Sequence, residues 1–203
     1  MSRIRSGLAA TAAGLFLLLA GPALAANLSG TPGDDQLDGT ARADTIAGLA
    51  GDDLIRAHRG PDIVRGGSGA DLIYLGSNPL LEGPRGDFAS GGPGDDVIFG
   101  GPGFDVLAGK RGDDLLDGGP GSNMLEDGRG ADVLIGGVAG DAAYVGPGRD
   151  RLYLKAGSDG VYIGLDGSVD VVFCGPGYDR VWHGGEIDPL DRFHDCEEFS
   201  DHP

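Results

Sequence analysis

The sequence predicts an all-β fold: a parallel β-roll (a β-solenoid) of nine-residue repeats with a disulfide-closed C-terminal cap. Three observations predict it. Asp, Gly and an aliphatic residue recur in phase every nine residues over most of the chain. Glycine takes 41 of the 203 positions without the every-third spacing of collagen. Acids outnumber bases, 32 Asp and Glu against 15 Lys and Arg, for a net charge of −17. Since 40% of the chain is hydrophobic and periodic, disorder is not the default. The charge argues against a nucleic-acid partner, whose phosphates need basic patches, and suits a chain that gathers cations.

Residues 1–25 carry the pattern of a signal peptide. Arg3 and Arg5 precede an apolar run from Leu8 to Ala20, Gly21 and Pro22 break it, and Ala23-Leu24-Ala25 is a small-x-small cleavage pattern. A retained anchor is the alternative, but the run is shorter than the roughly 20 residues that span a bilayer. The expectation is a secreted, extracellular chain with no membrane span after cleavage.

Residues 26–162 are expected to form the repeats. Asp35, Asp44, Asp53, Asp62 and Asp71 fall at intervals of nine. After an irregular insertion at about 75–81 the spacing returns through Asp87, Asp96, Asp105, Asp114, Asn123, Asp132, Asp141, Asp150 and Asp159. A two-residue slip follows, and Asp170, Asp179 and Asp188 resume the pattern within 163–203, read as degenerate repeats and cap. Two residues after the Asp comes an aliphatic: Leu37, Ile46, Ile55, Val64, Ile73, Ile98, Leu107, Leu116, Leu125, Leu134, Leu152 and Val161. It is the middle of a short strand and points inward while its neighbours point outward. One inward side chain per unit makes no core alone, so the units must stack. With one unit as half a coil, roughly 16 units make about eight coils, a rod about 40 Å long.

Stacking brings the Asp side chains of alternate units to the same edge: Asp35 near Asp53, Asp44 near Asp62, Asp96 near Asp114, Asp132 near Asp150. A column of anions about 5 Å apart repels unless cations lie between them. The candidate ligands are therefore the Asp series 35 to 159 just given, with Asn123. Carbonyls of turn glycines, represented by Gly66, Gly91, Gly100, Gly109 and Gly118, complete an all-oxygen shell. Such a shell suits several Ca²⁺ ions rather than Mg²⁺ or zinc. The plainer alternative is that the Asp residues only solvate turns. Asn123 loses charge, Arg42 and Ala139 replace turn glycines, and Asp34, Asp52, Asp95 and Asp113 add acids beside a site Asp. The best sites are expected in 30–73 and 91–135.

The units GGSGADLIY (66–74), GGPGDDVIF (91–99) and GGPGFDVLA (100–108) resemble the calcium-binding nonapeptide, GGxGxDxUx with U aliphatic, of the repeats-in-toxin family. The resemblance implies a calcium-binding β-roll. Members of that family commonly leave by a dedicated exporter reading a C-terminal signal, so an N-terminal leader is a departure and toxin activity is not implied. The tail resembles the closing segment of a group of secreted bacterial calcium-binding proteins in Cys174, Gly175, Gly177, Asp179, Val181, Asp188, Asp191, Asp195, Cys196 and Glu197. In an exported chain the pair Cys174 and Cys196 reads as a disulfide sealing the end of the stack. A metal or thiol site of His183, Asp191, His194 and Cys196 is the alternative.

Tyr144, Tyr153, Tyr162, Phe173 and Trp182 hold the last strand position of successive units. They either pack on one another or form an outer strip for a cell-surface glycan or protein, which would make the chain a calcium-rigidified adhesin. No HExxH or GxSxG occurs, and no acid pair stands out from a ladder of equivalent acids. A structural or binding module is expected, not an enzyme; a secreted hydrolase is the weaker rival.

Overall fold

The computed structural model describes residues 25–77 and 86–201. The signal-peptide reading of 1–25, apart from Ala25, and positions 78–81 of the irregular insertion lie outside the described residues. Nineteen short strands alternate between two sheets, so each strand pairs in parallel with the one two further along the chain. The ten-stranded sheet runs from Asn27–Ser29 to Glu198–Ser200, and the nine-stranded sheet from Gln36–Asp38 to Arg192–His194.

The strand middles form the core. Leu28, Ile46, Val64, Ala89, Leu107, Leu125, Ala143, Val161 and Val181 face in from the ten-stranded sheet. Leu37, Ile55, Ile73, Ile98, Leu116, Leu134, Leu152 and Val172 face them from the other. Every aliphatic expected inward is buried, each worth about 1.5–3 kcal/mol relative to exposure. The stack is longer than the eight coils expected. Asn27–Ser29 precedes the first site Asp, and Arg192–His194 and Glu198–Ser200 come from the tail, because strand pairing needs an inward apolar residue and not the Asp of the motif.

Irregularities in the spacing do not shift the register. Across the insertion, stacked partners stand 25 residues apart instead of 18, yet Ile73 still lies beside Ile98 and Val64 beside Ala89. The slip after Asp159 is absorbed likewise, with Leu152 beside Val172. A one-residue shift would turn every inward side chain outward, so loops yield before strands do.

The turns carry a second inward row, two residues after each strand middle. It is glycine in most early units, but Ala57, Leu75, Leu154 and Cys174 fill it with fully buried apolar groups. Cys174 is bonded to Cys196, with the Cα atoms 5.3 Å apart, and Cys174 N donates to His194 O. The bridge thus staples the last coil to the one before it. Closing a loop of 22 residues contributes about 3 kcal/mol in a chain-entropy estimate. With Cys196 in the bridge, the alternative thiol site in the tail has no thiol.

Candidate metal centre

The two sheets leave two turn edges. Turns leaving the ten-stranded sheet form a first edge with Asp35, Asp53, Asp71, Asp96, Asp114, Asp132, Asp150 and Asp170. Turns leaving the nine-stranded sheet form a second edge with Asp44, Asp62, Asp87, Asp105, Asn123, Asp141, Asp159 and Asp179. All of these side chains are buried.

The geometry divides each carboxylate between two tasks. Oδ1 accepts the backbone N–H of the site residue one coil earlier: Asp35 N donates to Asp53 at 2.8 Å, Asp96 N to Asp114 at 2.8 Å, Asp62 N to Asp87 at 2.7 Å. The same ladder runs the length of both edges. Sequence reasoning missed this task, since the ladder joins residues a full coil apart. It leaves Oδ2, which is buried without a hydrogen-bond partner in Asp53, Asp62, Asp71, Asp96, Asp105, Asp114, Asp132, Asp150, Asp159 and Asp179. A buried carboxylate oxygen with no donor is costly unless the group is protonated or meets a cation.

Burial accordingly raises these acids, with facing carboxylates adding to the rise and the ladder hydrogen bond opposing it. Asp62 and Asp150 are pushed up to about 8, Asp96, Asp105, Asp114 and Asp159 to about 7, and Asp71 to about 6. Near neutral pH such a group is poised to exchange its proton for a cation.

The glycines explain the room around Oδ2. A Cβ on Gly100 would lie 2.8 Å from Asp105 Oδ2 and 2.7 Å from Gly118 O, and Gly39 meets Asp44 and Ala57 in the same way. Gly48, Gly66, Gly91 and Gly109 are closer still to the Oδ2 of their own Asp. The first glycine of the unit therefore keeps open a space walled by oxygen.

Other expected ligands are already satisfied. Asp35 Oδ2 accepts from Thr31 N, Asp44 Oδ2 from Thr40 N, and Asp141 Oδ2 from Gly137 N. At Asn123 the amide nitrogen donates to the carbonyls of Gly119 at 3.2 Å and Gly121 at 2.9 Å. It fills with its own N–H groups the place where an Asp would leave an oxygen bare. Asp87 accepts from Asp62 N. Two carboxylates escaped the sequence reading of the ligand set: Asp179, hidden behind the slip, and Asp127, which stands where a unit should have its first glycine.

The aromatic residues do not form one strip. Successive units belong to opposite sheets, so the row splits into two ladders. Tyr144, Tyr162 and Trp182 stack with centroids 4.5 Å apart on one sheet, and Tyr153, Phe173 and His194 stack on the other.

A sequence model of the RTX calcium-binding nonapeptide repeat, four copies long, matches at residues 29–64, 48–78, 83–116, 90–125, 117–152 and 126–161. These matches cover more than half of the chain and take in every candidate ligand from Asp35 to Asp159. No curated protein matches it.

Proposed function

Because the chain belongs to the RTX calcium-binding nonapeptide repeat family, its repeats form a calcium-binding β-roll, and we propose that it is a secreted module that folds on Ca²⁺ and then serves as a rigid structural or binding element. The observation that carries this reading is the row of buried Oδ2 atoms without partners. Asp53, Asp62, Asp71, Asp96, Asp105, Asp114, Asp132, Asp150 and Asp159 would hold the ions. The first glycines, Gly48, Gly66, Gly91, Gly100 and Gly109, leave them space. Bound Ca²⁺ supplies the counter-charge that lets the acids stay ionised inside the stack. Asp35, Asp44, Asn123 and Asp141, already paired, belong to the frame.

Export is supported by the leader pattern of residues 1–25 and by the disulfide, a bond of oxidising compartments. A non-catalytic role is supported by the acids themselves. Catalysis by two carboxylates needs their pKa values pushed apart, whereas burial moves these in one direction. An adhesive aromatic strip gains no support from the rings. Their faces, which a sugar would stack on, are spent on one another.

The test is far-UV circular dichroism of the protein in EDTA and in millimolar Ca²⁺. Ligands assembled only in the fold turn binding energy into folding energy, so the expected spectra are largely unfolded without calcium and β-rich with it. Identical β-rich spectra would overturn the proposal.

A further inference from the structure

Along the first edge the position two residues after the strand middle is Gly30, Gly48, Gly66, Gly91 and Gly109 in turn. The next coil has Asp127 there, and the two after it have Val145 and Ile163. Asp127 is 0% exposed. Its Oδ1 accepts the backbone N–H groups of Gly128 at 2.5 Å and Gly146 at 2.7 Å. Its Oδ2 is buried without a partner, and so are the Oδ2 atoms of Asp132 and Asp150. The three carboxylates offer oxygens within 4.8 Å of one another, a grouping of possible ligands found nowhere else among the described residues.

We propose that Asp127, Asp132 and Asp150 form a closed tri-carboxylate cation site, different in composition from the repeat's own, that terminates the run of ions along the first edge. The inference rests on the calcium reading above. The donor set is three carboxylates with no His or Cys, which selects a hard, oxygen-preferring cation such as Ca²⁺ or a lanthanide of similar size. Three carboxylates this close cannot all ionise without one. Upstream, Asp53, Asp96 and Asp114 have exposed acids beside them in Asp52, Asp95 and Asp113. Asp132 and Asp150 have Ala131 and Arg149 instead, so the added charge comes from inside the stack. Because Asp127, 0% exposed, adds a third carboxylate from inside the stack, the ion held here keeps fewer waters than one bound by two carboxylates. Beyond it, Val145 and Ile163 occupy the inner row with apolar side chains.

Calcium titration calorimetry of the protein and of Asp127→Gly and Asp127→Asn tests this, with Tb³⁺ as a second probe. Asp127→Gly restores the residue that the repeat uses, so the fold should survive. The expected result is loss of one ion, the tightest, with the remaining steps kept; Asp127→Asn should weaken that step at least tenfold. Tb³⁺ emission lifetimes in H₂O and D₂O should show a poorly hydrated population in the parent that is missing from Asp127→Gly. Unchanged stoichiometry and tightest affinity in both variants would overturn the proposal. So would a variant destabilised as much in EDTA at pH 5, where protonation favours the metal-free fold, as in Ca²⁺, since Asp127 would then act through its bonds to Gly128 and Gly146. A parent that binds no calcium at all would sink the proposed function instead, which keeps the two failures apart.

Discussion

The two edges of the stack are built from the same repeat and do different work. On the first edge the open carboxylates follow without a break from Asp53 through Asp71, Asp96, Asp114 and Asp132 to Asp150. On the second they are interrupted: Asp44 and Asp141 are held by backbone N–H groups, Asn123 by its own amide, and Ala57, Leu75, Leu154 and Cys174 fill the inner row. The extra acids Asp34, Asp52, Asp95 and Asp113 all precede first-edge sites. One edge keeps an unbroken row of carboxylate oxygens open, while the other gives part of its inner row to apolar packing that needs no ion. A nine-residue motif thus supplies two kinds of stabilisation, chosen by the residue two after the strand middle.

The comparison can be broken first through what the open sites share. A carboxyl whose pKa is higher folded than unfolded binds protons more tightly in the fold. Protonation therefore stabilises the metal-free fold fully below about pH 3.9. That stabilisation is lost as pH rises through about 6 at Asp71, 7 at Asp96 and 8 at Asp62. In EDTA the protein should be more ordered at pH 5 than at pH 8. In calcium the order reverses, because the ion must displace protons, and the calcium midpoint rises on acidification. Circular dichroism at the two pH values checks both halves; equal EDTA spectra would contradict the burial argument.

A matched pair of substitutions sharpens the division between edges. Leu154→Ala should cost about 2–5 kcal/mol in calcium by opening a cavity, with the number of bound ions unchanged. Gly66→Ala puts a methyl against Asp71 Oδ2 and should remove an ion, destabilising the protein in calcium far more than in EDTA. Thermal unfolding in calcium and in EDTA at pH 5, where the metal-free fold is the more ordered, together with calorimetric stoichiometry, separates them. If each variant lost the same number of ions, the edges would not differ.

Asn123→Asp asks whether a closed unit can be opened. It removes the two amide bonds to Gly119 and Gly121, which should cost about 1–3 kcal/mol in EDTA at pH 5, where the metal-free fold is the more ordered, and add one calcium ion on the second edge. No gain in stoichiometry would mean that the amide does not stand in for a cation. The smallest effect is expected at Leu49, whose φ of 88° places a half-exposed leucine in the left-handed region. Leu49→Gly should stabilise the protein by about 1 kcal/mol and leave calcium binding unchanged, as read by the thermal midpoint and a titration.

Much of this was legible in the sequence. The inward aliphatics and the stacking of alternate units follow from spacing, because each is a property of one unit repeated, and the disulfide follows from a single pair of cysteines in a chain read as exported. The rest depends on what lies 18 residues away. The ladder that occupies Oδ1 joins Asp53 to Asp35 across coils, so a list of units shows the Asp but not that half of it is already engaged. Thr31, Thr40 and Gly137 close their sites through backbone N–H groups, which carry no residue code. Ala89 and Ala143 hold core positions but are too small to look like the motif's aliphatic. Both missed carboxylates had a visible signal: Asp179 in the resumed spacing, and Asp127 as an acid in a column of glycines.

The ladder also has a direction. Every buried rung runs from the main chain of one coil to the side chain of the coil after it, while on the exposed rim of the first edge the N–H groups of Asp52, Ala70, Asp113 and Ala131 donate the other way, to acids of the coil before. The interior resembles a zipper whose buried teeth all lean one way. Shortening it from the C-terminal side strands buried N–H groups, which no ion can satisfy. Shortening it from the N-terminal side strands carboxylate oxygens, which a cation or water can. At the far end the leaning stops on acids borrowed from the tail: Asp170 N finds Asp191 and Asp179 N finds Glu197. The closing segment is therefore an end-stop as well as a lid, and the two ends of the rod are not interchangeable.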